Sequence, residues 1–290
     1  MLDLLLFAEP ASLWPTVFAG WFGLMVGSFL NVVIHRKPKM MTREWENDIA
    51  EYRNEPLPHT DKYSWVAPRS ACPHCGHKIT ALENIPLISY FLLLRGKCSQ
   101  CKAPISLRYP MVEALTGILS ALVIWQFGSG WAGLAAMVFG FLVIAMTFID
   151  FDTTFLPDDL TYPLLWLGLL LNITGAFATL QDAVIGAVAG YMLLWSVNAG
   201  HRLLRGIDGM GRGDFILLAA LGAWFGWQAL PIIILLSSVV GLVVAVLGML
   251  FKNRDKNHKI PFGPYLAGAG LVALFYGKPL VATLFQTMQA

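Results

Sequence analysis

Two acidic residues and four cysteines carry most of the chemistry that this sequence can hold. Asp150 follows the apolar run VFGFLVIAMTFI without a break. Asp214 closes the cluster DGMGRGD, which starts at Asp208 and opens another apolar run. Carboxylates at the edge of a hydrocarbon layer are costly and usually functional. An ionised carboxyl can activate water while a protonated partner polarises a peptide carbonyl. Two close carboxyls share a proton because they cannot both ionise easily, and the apparent pKa values belong to the pair. Asp150 and Asp214 together therefore suit peptide hydrolysis.

Glycine marks the second cluster. Gly209, Gly211 and Gly213 remove side chains beside Asp214, which permits unusual backbone angles and lets a substrate backbone come close. The short motif leaves other readings open. A GxGxG run also forms plain loops and helix starts, and Asp214 could cap a helix. A phosphate cradle is disfavoured, since no GK[ST] follows and no strand precedes. Asp152, Asp158, Asp159 and Asp208 compete for the same role. Pro157-Asp158 reads as a helix start capped by Asp158 or Asp159, and Asp208 is expected to face water.

The cysteines read Cys72-Pro-His-Cys75 and Cys98-Ser-Gln-Cys101, with 22 residues between the pairs. Two CxxC pairs at such a separation suit a tetrahedral structural Zn²⁺ held by four thiolates. A reducing compartment disfavours two disulfides. Unmetallated or redox-active cysteines are the alternative, and His74 and His77 are competing ligands. A closed zinc site would do no chemistry. It would fold a loop too small and polar to hold a core.

These residues must be positioned by a membrane protein. The chain has 290 residues, 57% in the hydrophobic set and 13% charged, where soluble domains carry about a quarter charged residues. The net charge of +2 gives no sign of nucleic-acid binding. A bilayer core of about 30 Å needs roughly 20 apolar residues per helix. Spans are expected near residues 13–34, 109–128, 131–149, 160–177, 183–203, 215–228, 231–251 and 265–285. The sixth is short enough to be bent or re-entrant. The stretch 42–68 reads as helical near 43–53 and otherwise as loop.

Basic residues sort to one side of these spans. Of 20 Lys and Arg, all but Lys278 fall in three connections: residues 36–108, 201–214 and 252–263. Basic loops stay in the cytoplasm, so these connections and 150–159 are expected there, with both termini outside. No basic residue precedes the first apolar stretch, so no cleavable signal is expected. The expected fold is an all-α polytopic membrane protein of about eight transmembrane helices. A small zinc-binding cytoplasmic loop domain lies between the first two. The divisions are 1–35, a first transmembrane helix; 36–108, the zinc-binding domain; and 109–290, a membrane-embedded peptidase core.

With the motifs taken together, the chain resembles the type IV prepilin peptidases, which are GxGD-type intramembrane aspartyl proteases. The resemblance rests on GSFLNVVIHR (27–36), both CxxC pairs, ENIPLISY (83–90), RYPMVE (108–113), GMGRGD (209–214) and IPFGPYLA (260–267), in family order. It implies catalysis by Asp150 and Asp214 at the cytoplasmic face of the bacterial inner membrane. It implies cleavage, after a glycine, of the basic leader of type IV prepilins and type II secretion pseudopilins. It also implies N-methylation of the new N-terminus using S-adenosylmethionine, with Gly96 and Lys97 as candidate cofactor residues. Glu83 and Arg108 are candidates for orienting leader or cofactor, or for structure alone. Gly211, Gly213, Pro261, Gly263 and Pro264 are candidates for positioning substrate. Arg212 and Ile216 depart from the usual pattern, where an aromatic or neutral residue and a Lys are common. No GxGxxG follows a strand, so the methyl donor would need an unconventional site. Two other classes remain open. One is a proton-coupled transporter, which predicts carboxylates near mid-membrane. The other is a zinc-bearing membrane scaffold without catalysis.

Overall fold

The structure, a computed structural model, describes residues 12–252 and 261–289. The basic residues Arg254, Lys256 and Lys259, and Ile260 of the last motif, lie outside the described residues. Among the described residues eight α-helices follow one another: α1 Leu13–Tyr52, α2 Arg108–Phe127, α3 Trp131–Thr153, α4 Asp158–Asn172, α5 Leu180–Arg205, α6 Arg212–Phe225, α7 Leu230–Lys252 and α8 Gly263–Gln289. Among the described residues five apolar stretches are long and apolar enough to cross a membrane: α1, α2, α3, α5 and Trp227–Phe251, which takes in nearly all of α7. Trp14, Phe18, Trp21, Leu242 and Leu250 are among the large apolar side chains left exposed, which suits a lipid surround. The helices form two compact units, one ending at Trp125 and one starting at Gln126.

In the first unit, α1 does not stop at the expected boundary near Ile34. Its 40 residues make a rod of about 60 Å, about twice the bilayer core. It runs through Pro38 into the charged stretch that was expected to be only partly helical. Arg36 explains how the returning chain is held to this extension. Its guanidinium is buried and donates to Ser64 O at 2.7 Å and Pro68 O at 2.6 Å. Asn47 pairs with both backbone groups of His59. Helices α1 and α2 touch backbone to backbone. A β-carbon at Gly27 would lie 2.7 Å from Glu113 Cα, and one at Gly23 would lie 2.3 Å from Ser120 Oγ. Asn31 donates to Tyr109 O at 3.1 Å, the inter-helix bond expected of an amide inside a span.

In the second unit, the expected sixth span is a short helix enclosed by others. Helix α6 has 14 residues, about 21 Å, the shortness expected of this span. Every residue from Asp214 to Trp224 is buried. The sequence FILLAALGAWF is apolar on all faces, as a helix enclosed by others must be. Gly186 and Gly190 of α5, a small-xxx-small pair, let α6 approach at backbone distance. A β-carbon at Gly222 would stand 2.2 Å from Gly186 O, and one at Gly190 would stand 2.7 Å from Leu218 O. Asn172 bolts the far end of α6, donating to Ala223 O and Trp224 O while accepting from Phe177 N and Ala178 N. Trp224 donates to Leu164 O at 2.8 Å, and its ring lies 4.8 Å from that of Phe139. With that end fixed, the Asp214 end of α6 is held as a rigid rod.

Candidate active site

Asp150 and Asp214 both lie in the second unit, at the ends of α3 and α6. Asp150 sits in the last turn of α3, 4% exposed, and Asp214 in the first turn of α6, 8% exposed. They are close enough for the charge on Asp150 to act on Asp214. Asp150 Oδ2 is buried and makes no hydrogen bond among the described residues, although the Gly263 amide approaches its carboxyl. Helix α3 ends one turn after Asp150, where Thr154 adopts the left-handed conformation, φ 53°, and returns its amide to Asp150 O at 2.8 Å. A β-branched residue is strained there.

Gly209 and Gly213 serve space rather than backbone freedom. None of Gly209, Gly211 and Gly213 has positive φ, so the expected unusual angles are not what this cluster needs. Gly211, not Asp214, is the N-cap of α6, and Asp214 stands three residues on, reaching back toward the Gly211 amide as in a capping box. A β-carbon at Gly213 would lie 2.6 Å from Leu156 Cβ. One at Gly263 would lie 2.6 Å from Asp150 Oδ2 and 3.0 Å from Leu156 Cδ1. Gly263 starts α8, where Phe262 O accepts the Tyr265 and Leu266 amides. Pro264 lies in that first turn, where a missing N–H costs nothing, and Pro261 immediately precedes the turn.

The neighbouring acids have other tasks. Pro157 is the N-cap of α4, so neither Asp158 nor Asp159 caps it. Asp158 instead accepts from Arg212 at 2.5 Å. Asp208 is exposed, as expected, and accepts from Asn198 at 3.1 Å. Asn198 Oδ1 also accepts from Gly209 N and Met210 N. Leu156 and Asn198 went unmarked in the sequence. A lone Leu in a loop and a lone Asn on a helix carry no spacing signal.

In the first unit the four cysteines form one cluster, with all Sγ atoms within 4.8 Å. Cys72 and Cys101 Sγ lie 3.8 Å apart, and Cys75 and Cys98 Sγ 3.9 Å. Four thiolates at 2.3 Å from one ion would be about 3.8 Å apart, so this cluster could hold a metal ion. Each pair sits on the same turn. Cys72 N donates to His77 O and Gly76 N to Cys72 O. In the second turn, Cys98 N donates to Ala103 O and Lys102 N to Cys98 O. Gly76 and Lys102, φ 73° and 59°, take equivalent left-handed positions. Amides of Cys101 and Gln100 hold the Cys98 thiol down to about 6. His77 stays out of the cluster and pairs with Glu83 at 3.1 Å. Glu83 also accepts the Thr80 amide and hydroxyl. A Ser99 hydroxyl bond and the Thr80 amide hold its carboxyl down to about 2.

Gly96 is left-handed at φ 72°. Its amide donates to Tyr90 O and its carbonyl accepts from Ile105 N, so both backbone groups are engaged. Lys97 is exposed. Glu113, which the sequence reading passed over, is buried and accepts the amide of Leu87, itself at φ 58°. With Asn31 on Tyr109, this joins three of the quoted motifs at one place in the first unit.

Comparison with known proteins places the chain in a family. Residues 21–127 match the bacterial peptidase A24 N-terminal domain, and residues 137–246 match the type IV leader peptidase family. The prepilin leader peptidase/N-methyltransferase of Aeromonas hydrophila is 56% identical over 261 residues, 89% of this chain and 90% of that protein. The protein of the same name from Pseudomonas aeruginosa is 53% identical over 265 residues, 91% of each. That from Neisseria gonorrhoeae is 49% identical over 256 residues, 88% of each. No solved structure matches. Matched along nearly its full length, with both family domains in order, this chain belongs to the type IV leader peptidase family.

Proposed function

We propose that the chain is an aspartic endopeptidase and N-methyltransferase that matures type IV prepilins and type II secretion pseudopilins. Asp150 and Asp214 are its catalytic pair. The observation that carries this reading is that two buried carboxyls, from helix ends far apart in sequence, lie close enough for the charge of one to act on the other. An ionised member of the pair removes a proton from water as the water oxygen attacks the scissile carbonyl carbon. The protonated member hydrogen-bonds to the carbonyl oxygen, and a proton then goes to the leaving amine. A helical carbonyl is hydrogen-bonded and shielded, so the substrate must unwind locally before attack. Gly211, Gly213, Pro261, Gly263 and Pro264 leave bare backbone beside the pair for that extended segment.

The basic leader is taken at the cytoplasmic face of the bacterial inner membrane, with both termini periplasmic and residues 36–108 as a cytoplasmic domain. The ion held by Cys72, Cys75, Cys98 and Cys101 is Zn²⁺, and it serves structure. S-adenosylmethionine, when bound, supplies a methyl group to the new N-terminal amine. Lys97 would offer its ammonium to the donor's carboxylate, and Gly96 would shape the turn that presents it. The transporter reading fits less well. It needs carboxylates near mid-membrane, whereas Asp150 and Asp214 stand at helix ends. The scaffold reading gives no reason for a buried acidic pair.

The test is purified protein mixed with a prepilin. Asp150→Ala and Asp214→Ala should each insert normally and leave the leader uncut, and normal cleavage by either would overturn the assignment. Labelled methyl transfer to a precleaved pilin peptide tests the second activity. Absence of transfer would leave a peptidase alone.

A further inference from the structure

Leu156 occupies the space between the two glycine turns that flank the acidic pair. It is 4% exposed. Its Cβ stands where a β-carbon of Gly213 would need to be, 2.6 Å away, and its Cδ1 crowds Gly263 at 3.0 Å. Asp150 Oδ2 crowds the same β-carbon position of Gly263 at 2.6 Å. One isobutyl side chain thus touches the turn that starts α6 and the turn that starts α8, beside the carboxyl that ends α3. Its own position has little slack. Only Thr154, Phe155, Leu156 and Pro157 separate α3 from α4, and Thr154 and Pro157 are each fixed as a helix cap.

We propose that Leu156 sets the specificity of the peptidase by walling off the space beside the acidic pair, so that only a residue without a side chain fits next to the scissile bond. This rests on Asp150 and Asp214 being the catalytic pair. A substrate backbone brought to those carboxyls must run along the bare backbone of Gly213 and Gly263. A β-carbon pointing toward Leu156 meets the same atoms that exclude one from the two glycines. The exclusion is steric and local, so trimming the wall removes it. A residue that merely packed the two turns together would behave differently. Trimming it would slow every substrate alike.

The experiment compares kcat/KM for two prepilin peptides that differ only in carrying glycine or alanine before the cleaved bond. Wild-type enzyme is expected to strongly prefer glycine. A single carbon discriminated by a tight apolar site is worth about 10–200-fold. Leu156→Ala should raise the alanine-to-glycine ratio at least about tenfold. Leu156→Val, which keeps most of the packing, should raise it by a smaller factor in the same direction. The Val variant is decisive if the Ala variant inserts poorly. An unchanged ratio in whichever variants insert, with both substrates slowed in parallel, would overturn the specificity role and leave the catalytic assignment standing. A wild-type enzyme that cuts neither peptide would instead overturn the peptidase reading on which the inference rests.

Discussion

Gly263 leaves Asp150 no room for a neighbour: a β-carbon on the first residue of α8 would lie 2.6 Å from Oδ2 of that carboxyl. The contact ties the start of α8 to the end of α3. It makes the position of the carboxyl depend on the absence of one methyl group. Gly263→Ala should therefore push the Asp150 carboxyl aside while the helices stay in place. Misplacing a reacting group by about 1 Å can cost about a hundredfold in rate, and a loss of that order in leader cleavage is expected. Gly268→Ala on the same helix meets nothing within 4 Å and should cleave normally. Equal activity in both variants would show that the carboxyl tolerates displacement.

The metal cluster should be separable from the peptide chemistry. Cys98 is the buried member of the four, and its replacement removes one of four ligands. Cys98→Ser should lower bound zinc per chain and the thermal midpoint of the first unit. A strong chelator should do the same to the wild-type protein, because metal binding and folding are coupled. Zinc stoichiometry unchanged in Cys98→Ser would sink the four-thiolate assignment.

Glu83 gives the same region an acid-sensitive bond. Its carboxyl is held at about 2, below the ordinary 4.5, by a Ser99 hydroxyl and the Thr80 amide. The folded form therefore holds its proton less tightly than the unfolded chain. The stability this contributes is present above pH 4.5 and is lost as pH falls from there through about 2. Glu83→Gln lacks that contribution at every pH. The gap in thermal midpoint between wild type and variant should be open at pH 7 and narrow progressively below pH 4.5. A gap independent of pH would mean that the carboxylate charge contributes nothing.

Several features were legible because the sequence states them in residue type and spacing. Asp150 at the end of an apolar run, Asp214 after its glycines and the two CxxC pairs could be placed before any coordinates. The extension of α1 past Ile34 was not legible. The apolar run ends near Ile34, which hides its continuity with the helix expected near 43–53, and the bonds that secure the extension come from Arg36 and Asn47 to a chain segment 12 to 32 residues away. The enclosure of helix α6 was not legible either, because apolarity alone cannot distinguish lipid from a surround of other helices. Leu156 was invisible for a similar reason. Its role depends on two glycines that are distant from it in sequence, and leucine in a loop has no pattern to betray it.

The crossing of α5 and α6 sets where Asp214 stands, and it should tolerate no added carbon. A β-carbon at Gly222 would lie 2.2 Å from Gly186 O, and one at Gly186 would lie 2.4 Å from Gly222 O. Both obstacles are backbone, which cannot rotate away as a side chain could. Gly222→Ala must therefore separate the two helices. Overpacking of this kind costs about 1–3 kcal/mol, and the separation should be felt at the Asp214 end of the same rigid helix. The expected outcome is a lower thermal midpoint together with slowed leader cleavage. The cysteine cluster, which belongs to the other compact unit, should keep its full metal content. Gly200→Ala on α5, where nothing lies within 4 Å, is the matched control and should leave both properties alone. If Gly222→Ala cleaved at the wild-type rate, Asp214 would not depend on this crossing for its position.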